Sequence, residues 1–215
     1  MQYEHTTYNK LSDINAMRGT SASHMSELQS LGEVICEHGL EKVVGVTLVH
    51  RHYDVAPNER VVWNISDLEW TATPQCIADT LISPVTWKIE AAQPCASYAP
   101  LEFCPNNNQY LREIRAAEQV MAENSFLSRF METALRLEVY DIFGLGVLSV
   151  RDELSVPGMI MYEESSKSKR TMTVRLVQKS TNNDIYGGIT LWNFGTSSID
   201  GVKSCWHGGS RHCCG

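Results

Sequence analysis

The chain has 215 residues, a formal net charge of −7, 43% apolar residues and 20% charged residues. That composition excludes a disordered chain and is enough for one domain, residues 1–215, with a sizeable core. The acidic excess argues against general nucleic-acid binding, and no apolar run approaches the ~20 residues that span a bilayer, so no membrane partner is expected.

Residues 1–20 read as an irregular N-terminal segment with no apolar secretory core, so an intracellular, cytoplasmic location is expected. From Ser23 the pattern turns helical. Met25, Leu28, Leu31, Ile35 and His38 recur at spacings of three and four, with Ser23 as N-cap and Gly39 just past the end. His38 continues the apolar stripe as a boundary histidine. Residues 43–55 are dense in β-branched side chains and read as a strand. The turn residues of "APNE" (56–59) and the strand "RVVWNI" (60–65) then predict a β-hairpin over 43–65. "VTWKIE" (85–90) alternates as a half-buried strand does.

"QPCASYAPLEFCPNNN" (93–108) carries three prolines and three consecutive asparagines and reads as a loop. Leu111, Ile114, Ala117, Glu118 and Met121 then give helical spacing. "ENS" (123–125) breaks it, and Phe126, Leu127, Phe130, Met131, Ala134 and Leu135 continue a second helix. Four short strands follow, at 146–150, 158–163, 171–177 and 187–194, with a basic hairpin tip at 165–170 and a strong turn signal at 180–188. Residues 203–215 form a Cys/His-rich tail. The order predicts an α+β fold: a mostly antiparallel sheet with an N-terminal helix and a central helical pair.

One stretch carries chemistry, "VTLVHRHYDV" (46–55). On a strand, residues two apart share a face, so His50 and His52 project with Val46, Leu48 and Asp54, while Arg51 and Tyr53 project the other way. Two imidazoles on one face suit a divalent Fe, Zn or Mn ion, with Asp54 or Glu59 adding an oxygen ligand. Without a metal, either histidine can serve as general acid or base near neutral pH, or the pair can be structural. Arg51 and Tyr53 are candidate substrate-binding residues. Tyr162, Glu163 and Glu164 end a strand and are placed as candidates to face the same pocket.

The tail supplies a second set. Cys205, His207, His212 and Cys213 are of types that suit tetrahedral zinc, although chain ends are often loose and vicinal Cys213 and Cys214 also suit redox chemistry. The seven cysteines are an odd number, and with no secretory signal they are expected to be reduced. Cys36 and Cys76 read as small hydrophobes. Cys95 and Cys104 lie in the Pro-rich segment, and nothing local marks either as an activated nucleophile. No P-loop, GxGxxG, HExxH or GxSxG is present, which removes most nucleotide-dependent and common hydrolase readings.

The spacing Gly45-x4-His50-x-His52-x6-Glu59 is similar in outline to the first metal motif of the cupins. It covers about fifteen residues, departs by one to three positions, and the second cupin motif has no match, so the chain is not assigned there. "TLVHRHYD" also resembles a TLxHRHF-like motif of small uncharacterised fungal proteins, a resemblance that brings no established activity but favours specialised metabolism. The leading expectation is therefore a small biosynthetic enzyme using the histidine pair on an amino-acid-like or natural-product substrate. Two alternatives stand beside it. One is a cofactor-free synthase or transferase, such as a tRNA-dependent cyclodipeptide synthase, which needs a local basic surface. The other is a non-enzymatic interaction module with a zinc-stapled tail.

Overall fold

Val, Ile, Thr and aromatic side chains recur through most of the strands, and the sheet they build closes on itself. The computed structural model describes residues 3–17, 20–65, 69–91, 95–148, 159–178, 189–199 and 202–214, with side chains described within 3–17, 20–65, 70–91, 95–148, 163–175 and 190–195. Ten strands are described: β1 (Val44–Leu48), β2 (Arg60–Ile65), β3 (Glu69–Gln75), β4 (Ile82–Glu90), β5 (Ser97–Pro105), β6 (Phe143–Val147), β7 (Met159–Ser166), β8 (Thr171–Gln178), β9 (Ile189–Ile199) and β10 (Val202–Cys214). They form a closed barrel in the order β1-β6-β4-β5-β2-β3-β8-β7-β10-β9, with β9 pairing back onto β1. Pairing is antiparallel except for β2 with β5 and β7 with β10. The fold is thus α+β with a mostly antiparallel sheet.

Helices cover one side of the barrel. The N-terminal helix α3 (Met25–Glu37) follows two short ones, α1 (His5–Asn9) and α2 (Thr20–Ser23); the central pair is α4 (Leu111–Ala122) and α5 (Asn124–Arg136). Leu28, Leu31 and Ile35 of α3 and Phe126 and Phe130 of α5 pack with Val46, Leu48, Trp87, Leu145 and Trp192 of the sheet in one core. Close approach requires Gly32: a Cβ there would lie 2.0 Å from the Phe194 ring. Gly39, at φ +67°, ends the α3 segment in the left-handed region, as expected. His38 is satisfied at the boundary, with Nδ1 2.9 Å from the Val34 carbonyl oxygen and its ring against Phe126. Among the described residues, no helix is long and apolar enough to cross a membrane.

Several local expectations are corrected. Residues 1–20 include a helical turn, α1, and Ser23 lies in α2, so the residue before α3 is His24, which makes no side-chain cap. The segment 43–65 is not a hairpin: β1 pairs with β6 and β9, whereas β2 pairs with β3 and β5. The expected loop at 93–108 contains β5, a barrel strand. Its prolines are tolerated because Pro105 ends the strand, while Pro100 lies outside the short ladder to β2 and beside the irregular register with β4. The buried stripe of α4 is Glu113, Ala117 and Val120, and Leu111 is exposed. The strand β3 went unpredicted, and the turn expected at 180–188 lies outside the described residues.

Candidate metal centre

The backbone leaves β1 at Leu48 and is taken up by the N-terminal segment. The Arg51 N–H donates to Ser12 O at 3.0 Å, and the Ile14 N–H donates to Arg51 O at 3.2 Å. Strand alternation therefore does not continue through the histidines. Val46 packs in the helix-covered core, Leu48 belongs to that core and also borders the cavity, and His50 and His52 both line the cavity. The two rings meet edge to face, with centroids 4.5 Å apart and Nε2 atoms 3.0 Å apart.

The third member comes from β7. Glu163 is buried, and its Oε1 lies 3.5 Å from His50 Nε2 and 3.4 Å from His52 Nε2. The next residue, Glu164, faces outward and pairs with Arg175, as the period of two along a strand requires. Among the described residues, His50, His52 and Glu163 are the one set of three metal-donor side chains whose donor atoms all lie within 4.8 Å of one another. A triangle with sides of 3.0, 3.5 and 3.4 Å has a circumradius of about 1.9 Å. Zinc bonds to imidazole and carboxylate run at roughly 2.0–2.2 Å, so the three atoms are spaced to hold one such ion.

The far atom of each group is already engaged. His50 Nδ1 lies 2.8 Å from Leu48 O, which can accept only a proton-borne hydrogen bond and so leaves Nε2 as the lone-pair nitrogen of the neutral ring. His52 Nδ1 lies 2.6 Å from Ser165 Oγ, and Thr190 Oγ1 donates to Glu163 Oε2 at 3.2 Å. Such outer partners fix the orientation of metal ligands.

Electrostatics divide the two imidazoles. Burial opposes the charge on His50, but the hydrogen bond and charge of Glu163, with the Leu48 carbonyl, outweigh it and hold the pKa above the ordinary histidine value. His52 is pushed down to about 4, first by burial and then by His50, against the pull of Glu163. Around the pair lies a cavity of about 90 Å³, walled by apolar groups such as Val49, Trp63, Leu101 and Met172. That is room for several waters or a small ligand. Glu102 of β5 and Glu113 of α4 also line it, and among the described residues no Lys or Arg does.

The remaining candidates sit elsewhere. Asp54 is exposed and pairs with Arg51. Glu59 accepts the Ala56 N–H at 2.7 Å and is clasped by Arg170, so it ties the 56–59 turn to the β7–β8 hairpin. Neither reaches the imidazoles as a third ligand. Arg51 and Tyr53 line a surface depression rather than the main cavity, and the Tyr53 hydroxyl is spent on Ala72 O at 2.9 Å. Cys104 does line the cavity, but burial pushes its thiol up to about 12, opposite to an activated nucleophile. Cys95 is exposed. The backbone of residues 203–214 belongs to β10, while the side chains of Cys205, His207, His212 and Cys213 lie outside the described residues. Sequence reasoning passed over Glu102 and Glu113. The signals were present: a single carboxylate inside the apolar run "YAPLEFC", and Glu113 at helical spacing from Ala117 and Val120.

Compared with known proteins, the chain matches no family model, no curated protein and no solved structure.

Proposed function

We propose that the chain is a metal-dependent enzyme acting on a small molecule, its ion held by His50, His52 and Glu163. The observation that carries this is the triangle of donor atoms, 3.0 to 3.5 Å on a side, with every far atom already hydrogen-bonded. Two imidazoles and one carboxylate are a set suited to Fe(II), Mn(II) or Zn(II), and three protein ligands leave coordination positions open to a substrate or water. When bound, the ion would supply Lewis-acid polarisation or an activated oxygen ligand. The small, mostly apolar cavity limits the substrate to a small one. A biosynthetic role in specialised metabolism fits that size class.

A second use of the same groups is favoured by the split between the imidazoles. With His52 held neutral and His50 disposed to carry a proton beside Glu163, the pair can act as acid and base without an ion. A tRNA-dependent reaction gains less support. The basic side chains at the nearby surface depression, Arg51, Lys167 and Arg170, are each paired to Asp54, Asp13 and Glu59.

Elemental analysis of the full chain, purified without a polyhistidine tag, decides between ion and no ion. One equivalent of Fe, Mn or Zn, lost in His50→Ala and in Glu163→Gln, is the expected result. Absence of stoichiometric metal, with no calorimetric response to added Fe(II), Mn(II) or Zn(II), overturns the metal reading and leaves the acid–base one.

A further inference from the structure

The cavity holds more negative charge than the ion site uses. Glu113 is only 8% exposed, lines the cavity, and has no hydrogen bond or ion pair among the described residues. Its charge is felt across the cavity: after burial, it is among the causes that raise the pKa values of Cys104 and Tyr110. Glu102 stands in the same lining. Its Oε2 accepts from Trp63 Nε1 at 3.0 Å and from Thr86 Oγ1 at 3.2 Å, while Oε1 has no hydrogen-bond partner among the described residues. Burial pushes Glu102 up, with the Glu163 charge adding to that against the pull of Trp63 and His50. No oxygen of Glu113 or Glu102 is among the fully buried, unpartnered polar atoms of the described residues, so their free oxygens open onto the cavity, where a cation would complete them. Among the described residues, the lining offers three carboxylates and no Lys or Arg. With a divalent ion at the triad and neutral imidazoles, three ionised carboxylates would still leave the lining formally at −1.

We infer that the cavity binds an organic ammonium ion, a protonated amine whose positive end pairs with Glu113 and Glu102 against the aromatic corner formed by Trp63 and Trp70. Those two rings are set edge to face with centroids 5.5 Å apart, and both line the cavity. Aromatic faces beside carboxylates are a common solution for cationic ligands, since the ring quadrupole attracts the cation while its apolar surface takes the carbon chain. A second metal ion is the poorer occupant. Among the described residues, no set of three donors other than the His50–His52–Glu163 triad comes within 4.8 Å. The amine site deepens the proposed function by naming its substrate class, and it rests on that reading only in supposing that the bound amine is what the triad acts on.

The test is calorimetry on the full chain after treatment with EDTA, repeated with added Mn(II), using butylamine, butanol and butyrate, and benzylamine, benzyl alcohol and benzoate. Each amine is expected to bind about tenfold or more tightly than its alcohol, with the carboxylate weakest, because a charge-assisted hydrogen bond is worth about that ratio or more. Glu113→Gln and Glu102→Gln are each expected to erase most of the amine preference while leaving alcohol binding within twofold. Glu113→Gln is also expected to keep or raise the melting temperature of the ligand-free chain, a change that a purely structural carboxylate would not give. Amines no tighter than their alcohols in both series overturn the inference, as does an amine preference that survives in both variants. Amine binding retained in His50→Ala separates this site from the ion site, so that either can fail while the other stands.

Discussion

Ser165→Ala isolates the outer support of the proposed metal centre while leaving all three proposed ligands in place. Ser165 Oγ lies 2.6 Å from His52 Nδ1 and is the partner that orients the ring. Loss of such a partner typically weakens metal binding 10- to 100-fold, or about 1.4–2.8 kcal/mol. An ion supplied at 100 times its dissociation constant stabilises a folded chain by about 2.7 kcal/mol. After a 10- to 100-fold loss, the same concentration contributes only about 0.4–1.4 kcal/mol. At roughly 2–4 °C per kcal/mol for a chain of this size, the metal-induced rise in melting temperature should shrink from roughly 5–11 °C to roughly 1–6 °C. Competition with a chromophoric chelator gives the affinity directly, and scanning calorimetry with and without metal gives the shift. Ser166→Ala serves as the control, because Ser166 Oγ faces Ser168 at 3.4 Å instead. A wild-type affinity in Ser165→Ala, or equal losses in both variants, would refute the role given to this hydrogen bond.

Three further outcomes are expected. In the metal-free chain, His52 takes up a proton more readily unfolded than folded. Folding stability should therefore fall as pH drops from about 6.5 towards 4, by up to about 3 kcal/mol. His50, with its raised pKa, acts in the opposite sense: its contribution is present below the ordinary histidine value and is lost as pH rises through its own. Urea unfolding from pH 4.5 to 7.5 reads both, and an acid-side slope unchanged in His52→Gln would contradict the assignment. Glu59→Gln breaks the clasp with Arg170, whose side chain is 39% exposed, so unfolding in denaturant should show a cost below about 1 kcal/mol with metal content unchanged. Loss of metal in that variant would return Glu59 to the ligand set. Gly32→Ala should destabilise by about 1–3 kcal/mol despite the better helix propensity of alanine, because its methyl meets the Phe194 ring; a more stable variant in chemical denaturation would contradict that packing.

What could be read ahead of the structure depended on how local each signal was. The α3 stripe of Leu28, Leu31 and Ile35 and the β7–β8 hairpin are set by short-range periodicity and turn chemistry, and both are present. The pairing of His50 with His52 was legible because only Arg51 stands between them in the chain. Its stated cause, strand alternation, ends at Leu48, since the N-terminal segment draws Arg51 away. Glu163 could be nominated only alongside its neighbours, because it meets the histidines through the closure of a barrel and lies 111 residues beyond His52. The hairpin expected at 43–65 failed for the same reason. Nothing local tells β1 that β6 and β9 are better partners than the strand just after the turn. In β5, proline chemistry argued for a loop, whereas the buried Tyr98, Leu101 and Phe103 decided for a strand.

The pairing of β10 with β7 bears on how the protein is made. In register, Cys214 stands beside Glu163, so the end of β10 helps hold the backbone that carries the third ligand. During synthesis His50 and His52 leave the ribosome before Glu163, and Glu163 is pinned only after residues 202–214 have emerged and slotted between β7 and β9. Until then two strand edges are open to other chains, a hazard while synthesis is under way. A polypeptide cut short before residue 202 would carry every ligand yet lack the strand that closes the barrel beside one of them. Competence to hold an ion at the proposed site would thus wait on β10 rather than on the ligands themselves.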